Sequence, residues 1–243
     1  MKKALHIGLN YTGSPYELPD CHLDAWAMRD LSRANGYDAV MYAKDGNEPS
    51  AEDFIAELIA LCEQSTPKSF TLISYSGHGT QYYSSSEADR QEEALVFWSG
   101  GEISLFPDDD FRKLLFEIKG TVFVVLDCCY SGGMERNVAK PGRTRRFIEC
   151  PPDARVVRYD GKLSKAAAAQ NRVYFLNASS ESEVSWSTGQ GGLFTRAFVE
   201  AYEKSTIKMR SIVNLIKQAK IACAGEQTPN YVIYGGNATK RVF

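Results

Sequence analysis

The chain reads as an α/β protein built on a doubly wound, mostly parallel six-stranded sheet with helices on both faces. Three observations predict this. Short apolar runs rich in Val, Ile, Leu and Phe alternate with amphipathic segments almost throughout. The apolar runs lack the strict two-residue alternation of a half-exposed strand, as expected for strands buried on both faces. Residue types that start and stop helices fall at the segment borders.

The elements follow in order. Ala4–Leu9 is a buried strand. Asp24–Asn35 is helical and stops at Gly36, which can adopt the left-handed conformation that closes a helix. Asp38–Ala43 is a second strand. Ser50 then caps a helix reaching about Gln64, with Glu52 and Asp53 at its positive end. A strand runs from Phe70 towards His78, Ala94–Trp98 is a hairpin piece, and Asp108–Lys119 is a helix opening on three acids. A strand then runs from Thr121 to Cys129. Beyond residue 170 come a strand at Arg172–Ala178, helices at Leu193–Lys204 and Ser211–Ala224, and a last strand at Tyr231–Tyr234.

With 243 residues, 44% hydrophobic and 24% charged, the chain suits one large domain, 1–243, with a well-buried core. A formal net charge of −2 argues against nucleic-acid binding. No apolar run reaches the roughly 18–20 residues of a membrane helix. The Met1-Lys-Lys start is followed by too short an apolar run for a signal peptide, so the expected location is the cytoplasm, without membrane association. Six cysteines with no CxxC pair suit neither a zinc site nor a disulfide framework. Cys62 and Cys223 fall in helical patterns as small buried groups.

Residues 134–170 stand apart. They hold nine basic residues (Arg136, Lys140, Arg143, Arg145, Arg146, Arg155, Arg158, Lys162 and Lys165), four acids and three prolines. The expectation is a long, mobile connection between a first part, 1–133, and a second, 171–243.

Two residues carry the chemistry. His78, between Gly77 and Gly79, and Cys129 each follow a strand, 51 residues apart (129 − 78). If those strands are neighbours, an imidazole and a thiol meet at the carboxyl edge of the sheet, where such folds bind ligands. That is a cysteine nucleophile with its general base. Each alone has a plain alternative, a glycine-shaped turn for His78 and a small core thiol for Cys129; the pairing weakens both. Cys128 and Cys129 point to opposite faces, and Cys129 is the better nucleophile, because it lies at the turn before Ser131-Gly132-Gly133, where backbone N–H groups can bind an oxyanion. His6 belongs to the core, and His22 is a solvated polar residue. Asp127 shares a strand face with Cys129.

Tyr75-Ser-Gly-His-Gly79 and Asp127-Cys-Cys-Tyr-Ser-Gly132 resemble the two active-site motifs of caspase-like cysteine peptidases, of the metacaspase and prokaryotic orthocaspase branch. Leu18-Pro-Asp-Cys21-His-Leu-Asp24, Gly192-Leu-Phe-Thr195 and Gln227-Thr-Pro229 extend the resemblance over nearly the whole chain. It implies a caspase-haemoglobinase fold and hydrolysis of protein or peptide substrates through a thioester acyl-enzyme. The backbone N–H groups of Gly79 and Cys129 become the expected oxyanion donors. Cys21, Asp24, Ser76 and Asp127 would line an acidic pocket for an Arg or Lys before the cut bond. Alternatively, Asp24 caps its helix and Asp127 anchors a loop. With no Asn or Asp in view to orient His78, a dyad is expected. Calcium is the one cofactor the resemblance admits, with Asp89, Asp108 and Asp109 as candidate ligands; Arg136 stands where one family aspartate would align, and Tyr130 where the pattern often has histidine. Self-processing in the basic connection is a further expectation, and any regulatory partner would be a separate chain. The competing functions are a catalytically silent caspase-fold regulator or scaffold, and a nucleotide-binding protein. The second lacks a glycine fingerprint after Asn10-Tyr11-Thr12-Gly13.

Overall fold

A computed structural model describes residues 1–42, 48–85, 91–129, 140–161, 171–180 and 183–242. Its main sheet has six strands: β1 (Lys2–Gly8), β2 (Asp38–Tyr42), β3 (Phe70–Ser76), β7 (Thr121–Asp127), β10 (Arg172–Asn177) and β12 (Asn230–Tyr234), in the order β12-β10-β7-β3-β1-β2. All neighbours are parallel except β12, which runs antiparallel on β10. A second sheet takes β4 (Gly79–Tyr83), β5 (Gln91–Ser99), β6 (Glu102–Pro107) and β9 (Arg155–Val156), and a short antiparallel pair joins β8 (Thr144–Arg145) to β11 (Trp186–Ser187). Among the described residues no helix is long and apolar enough to cross a membrane.

Two cores cover the two faces of the sheet. On one, Phe54 and Leu58 of α2 (Ala51–Gln64) and Phe111, Leu114 and Leu115 of α3 (Asp108–Glu117) pack with the second sheet against Ile73, Val122 and Val124. On the other, α1 (Cys21–Ala34), α4 (Leu193–Lys204) and α5 (Ile212–Ala222) cover Leu72, Phe123, Val125 and Leu176. Both cores thus draw on alternate residues of the same strands, which is why β7 is apolar without a break from Val122 to Leu126.

Ser50 caps α2 as expected, in a reciprocal capping box with Asp53. Helix α1 begins at Cys21, three residues earlier than the sequence suggested, which puts Asp24 in its first turn. Asp20 stands at the cap position but makes no capping bond, because its carboxylate is engaged elsewhere. His6 is buried between the hydroxyls of Ser74 and Ser32. His22, expected to be solvated, is instead buried against Glu48. The connection also departs from expectation: its described part, 140–161, is not a free loop. It lies along the carboxyl edge of the sheet, Ile148 enters the first core, and Val157 bonds to β6.

Candidate active site

Strands β3 and β7 are direct neighbours, with Ser76 opposite Asp127 in register. The residues two positions beyond each, His78 and Cys129, therefore emerge side by side at the carboxyl edge. Along β7 the alternation holds to the end: Val124, Leu126 and Cys128 face the α2/α3 core, whereas Cys129 joins Val184 and Trp186 on the opposite side. Ser131, Gly132 and Gly133, the turn expected behind Cys129, lie outside the described residues, as does Tyr130.

His78 is held on all sides. Its backbone N–H donates to the Tyr11 hydroxyl at 2.6 Å, and its carbonyl accepts from the Tyr75 hydroxyl at 2.8 Å. The Tyr11 ring lies 4.7 Å from the imidazole. The side-chain Nε2 donates to the Tyr16 carbonyl at 2.8 Å. A carbonyl only accepts, so this bond puts the proton of the neutral ring on Nε2 and leaves Nδ1 with its lone pair. Nδ1 is buried and makes no hydrogen bond of its own. The orienting group absent from the sequence reading is thus a main-chain carbonyl, which has no side-chain signature.

Residue Arg146 occupies the site. Its carbonyl oxygen accepts from the N–H groups of Gly79 at 3.0 Å and Cys129 at 3.2 Å, and its own N–H donates to the Ser185 carbonyl at 3.1 Å. Upstream, Arg145 and Thr144 pair antiparallel with Trp186 and Ser187; downstream, Phe147 bridges Gly79 and the Ile148 N–H donates to the Gly79 carbonyl. Residues 144–148 therefore lie in the cleft as an extended peptide.

The Arg146 side chain is wholly buried among three carboxylates. Nη2 donates to Asp24 at 2.7 Å and Asp20 at 3.2 Å; Nη1 donates to Ser76 at 2.8 Å and pairs with Asp127 at 3.2 Å. Asp24 also accepts from Ser76 at 2.6 Å, and Asp127 accepts from Ser185 and from the Thr195 hydroxyl and N–H. Of the four pocket residues expected, Asp24, Ser76 and Asp127 touch the guanidinium, and Cys21 lies against Ser76. Asp20, Ser187 and Thr195 were not singled out from sequence. Asp127 both lines the pocket and anchors the 185–195 loop, so its two readings are compatible. Gly192 closes one wall: a Cβ there would sit 2.2 Å from an Asp127 oxygen and 2.5 Å from Arg146 Nη1.

The electrostatics follow from burial. One guanidinium faces three carboxylates, so the pocket favours cations and repels anions. Burial works against the Arg146 charge, but the three aspartates hold its proton far more tightly than usual. Burial also pushes Asp20 up, and the Arg146 charge with bonds from Ser187, Gly191 and Thr188 outweighs it, leaving that carboxyl below its ordinary range. Burial raises Asp24 to about 6, Arg146 opposing and Asp127 adding. Burial likewise pushes the Cys129 thiol up to about 12 and the His78 imidazole down to about 4. Beneath the 144–148 segment both are neutral.

Two of the three candidate calcium ligands, Asp108 and Asp109, belong to the first turn of α3. Asp89 is outside the described residues, and Asp108 and Asp109 pair with Arg112 at the start of α3. Of the nearby acids, Glu92 and Asp110 are both engaged by Arg158. No group of three or more metal-binding side chains occurs among the described residues.

Comparison with known proteins agrees with this architecture. The chain is 30% identical over 148 residues to metacaspase-2 of Trypanosoma brucei brucei, covering 54% of this chain and 42% of that protein. It is 30% identical over 145 residues to metacaspase-6 of Arabidopsis thaliana, covering 55% and 39%. It thus spans about two fifths of the length of these relatives. Among solved structures, protein GSU0716 from Geobacter sulfurreducens superposes with a TM-score of 0.76 at 20% identity, covering 99% of this chain and 97% of that one. Caspase-1 from Spodoptera frugiperda does so at 0.61 and 10% identity, covering 96% and 85%. The family model for the caspase domain of the C14 peptidases matches residues 1–235, and the chain belongs to that family.

Proposed function

We propose that this chain is a cysteine endopeptidase that cuts after Arg or Lys, and that its own Arg146–Phe147 bond is its first substrate. The observation that carries the reading is Arg146 itself, a basic side chain buried among three aspartates while its carbonyl oxygen accepts two backbone N–H bonds. Lysine fits the same pocket by chemistry, because the Arg146 Nε makes no hydrogen bond there and an ammonium would forgo nothing at that position.

In the reaction, His78 Nδ1 takes the Cys129 proton as sulfur attacks the carbonyl carbon of the basic residue. A C–S bond forms, and the oxyanion stays on the Gly79 and Cys129 N–H groups. Collapse breaks the C–N bond, and the imidazolium returns its proton to the departing amine. Water then attacks the thioester, giving a proton to His78; collapse breaks the C–S bond, His78 returns that proton to the Cys129 sulfur, and the acid product leaves. A neutral thiol and a neutral imidazole are a competent starting pair, since the proton moves as the C–S bond forms.

Intact-mass analysis of the purified protein tests both halves of the reading. The expected fragments end at Arg146 and begin at Phe147, Cys129→Ala stays whole, and a peptide library is cut after Arg and Lys. Cleavage after Asp, or a Cys129→Ala protein that still fragments at 146, would overturn it.

A further inference from the structure

The segment in the cleft is held at a second place, well upstream of the pocket. Arg143, three residues before Arg146, makes a two-pronged contact with Glu226: its Nε and Nη2 each reach a separate carboxylate oxygen at 3.0 Å. Glu226 lies on the loop after α5, and its main-chain carbonyl accepts from the Trp186 indole at 3.3 Å. Trp186 is buried on β11, the strand that pairs with Thr144 and Arg145, so Glu226 is fixed relative to any peptide lying along that strand. The adjoining loop is fastened to the same edge, since the Gln227 side chain accepts from the Trp186 N–H and donates to the Ala178 carbonyl. Lys140 adds a second cation on the same shelf, 4.8 Å from the Trp186 ring.

These contacts have one feature in common. The partner of each cation is a group of the second part of the chain, beside the strand that binds the segment, and the cations belong to the segment. From this the geometry points to a distal acidic subsite: Glu226, set beside Trp186, selects a basic side chain three residues before the Arg or Lys at the cut bond. The inference rests on the endopeptidase reading given above and adds to it a recognition motif, basic-x-x-basic, of which Arg143-Thr144-Arg145-Arg146 is the internal example. A planar guanidinium matches both carboxylate oxygens at once, so arginine is preferred to lysine at the distal position. The contact is half-exposed, which keeps its effect modest beside that of the buried pocket.

The test compares acylated Arg-Thr-Ala-Arg, Ala-Thr-Ala-Arg and Glu-Thr-Ala-Arg aminomethylcoumarin peptides. It uses the wild-type chain and Arg146→Ala, in which the segment's own guanidinium no longer fills the pocket. The expected kcat/KM ratio of the first peptide to the second is about fivefold. Glu226→Gln brings that ratio close to one, and Glu226→Arg reverses the preference towards the third peptide. Equal turnover of the first two peptides, or a ratio that survives Glu226→Gln, overturns the distal subsite and leaves the reading of the Arg146 pocket in place. A library cut after residues other than Arg and Lys removes both.

Discussion

Asp24 shows how one buried carboxyl sets a pH response. Burial raises it to about 6 even with Arg146 beside it, and a proton there competes directly with a basic side chain for the pocket. The sign follows: a cationic substrate binds the ionised form, so affinity falls with pH, and because the value of about 6 applies with a guanidinium already in the pocket, the decline begins above it. His78, lowered to about 4, stays neutral over the same interval and remains able to accept a proton. The acid limb of the pH profile is therefore expected in KM, with kcat level from neutrality down to about pH 4.5. Steady-state kinetics across that range checks this, and a limb carried by kcat at constant KM would contradict it. At this scale His78 stood out as a glycine-flanked polar residue at the end of an apolar strand, and Cys129 became a candidate through its pairing with His78. That Asp127 shares a face with Cys129 followed from the two-residue repeat, whereas the pocket set of Cys21, Asp24, Ser76 and Asp127 came with the family resemblance. The Tyr16 carbonyl was not legible, because every residue carries one. Nor was Arg146 distinguishable among nine basic residues, since only the fold determines which of them reaches the pocket.

The elements around His78 show why a strand end alone does not hold an imidazole. Tyr11 adopts a left-handed backbone, φ 55, a conformation that costs of order 1 kcal/mol outside glycine. The carboxylate of Glu48 accepts its N–H, and the turn delivers the Tyr11 hydroxyl to the His78 N–H and to Val96 of β5. With Tyr75 it ties β1, β3 and the second sheet into one clamp. Tyr11→Phe leaves a buried N–H without its acceptor and is expected to destabilise the chain by about 1–3 kcal/mol. Denaturant unfolding measures that loss, and self-cleavage monitored alongside it should slow. An unchanged unfolding midpoint together with an unchanged rate would show that the clamp is dispensable. The order of helices and strands was largely legible from apolar runs and capping residues. Strands β4 and β6 were not foreseen, and neither were β8, β9 and β11: two-residue pairs carry no periodicity, and these three pair only because the connection folds back onto β6 and β11.

For the whole molecule, the bond from Arg146 to Phe147 lies between two parts that share one sheet. β10 belongs to the second part yet inserts between β7 of the first part and β12, and Ile148 sits in the first core. Arg158 reaches across to Glu92 and Asp110. Cutting the bond severs the chain without separating its cores. The cut protein is expected to elute at the volume of the uncut chain in native buffer, with two fragments appearing only in denaturant. Two native peaks would mean that the shared sheet does not hold the halves together.

The pairing of Thr144 and Arg145 with β11 has a bearing on which proteins such an enzyme would attack. Its edge is two residues long and bonds to main-chain groups, so an incoming chain must supply a free strand of its own. A helix has already spent those groups internally, and a residue inside a sheet has spent them on its neighbours. Under the endopeptidase reading proposed above, the expected targets are exposed linkers and unwound tails, whose main-chain groups are free to pair with that edge.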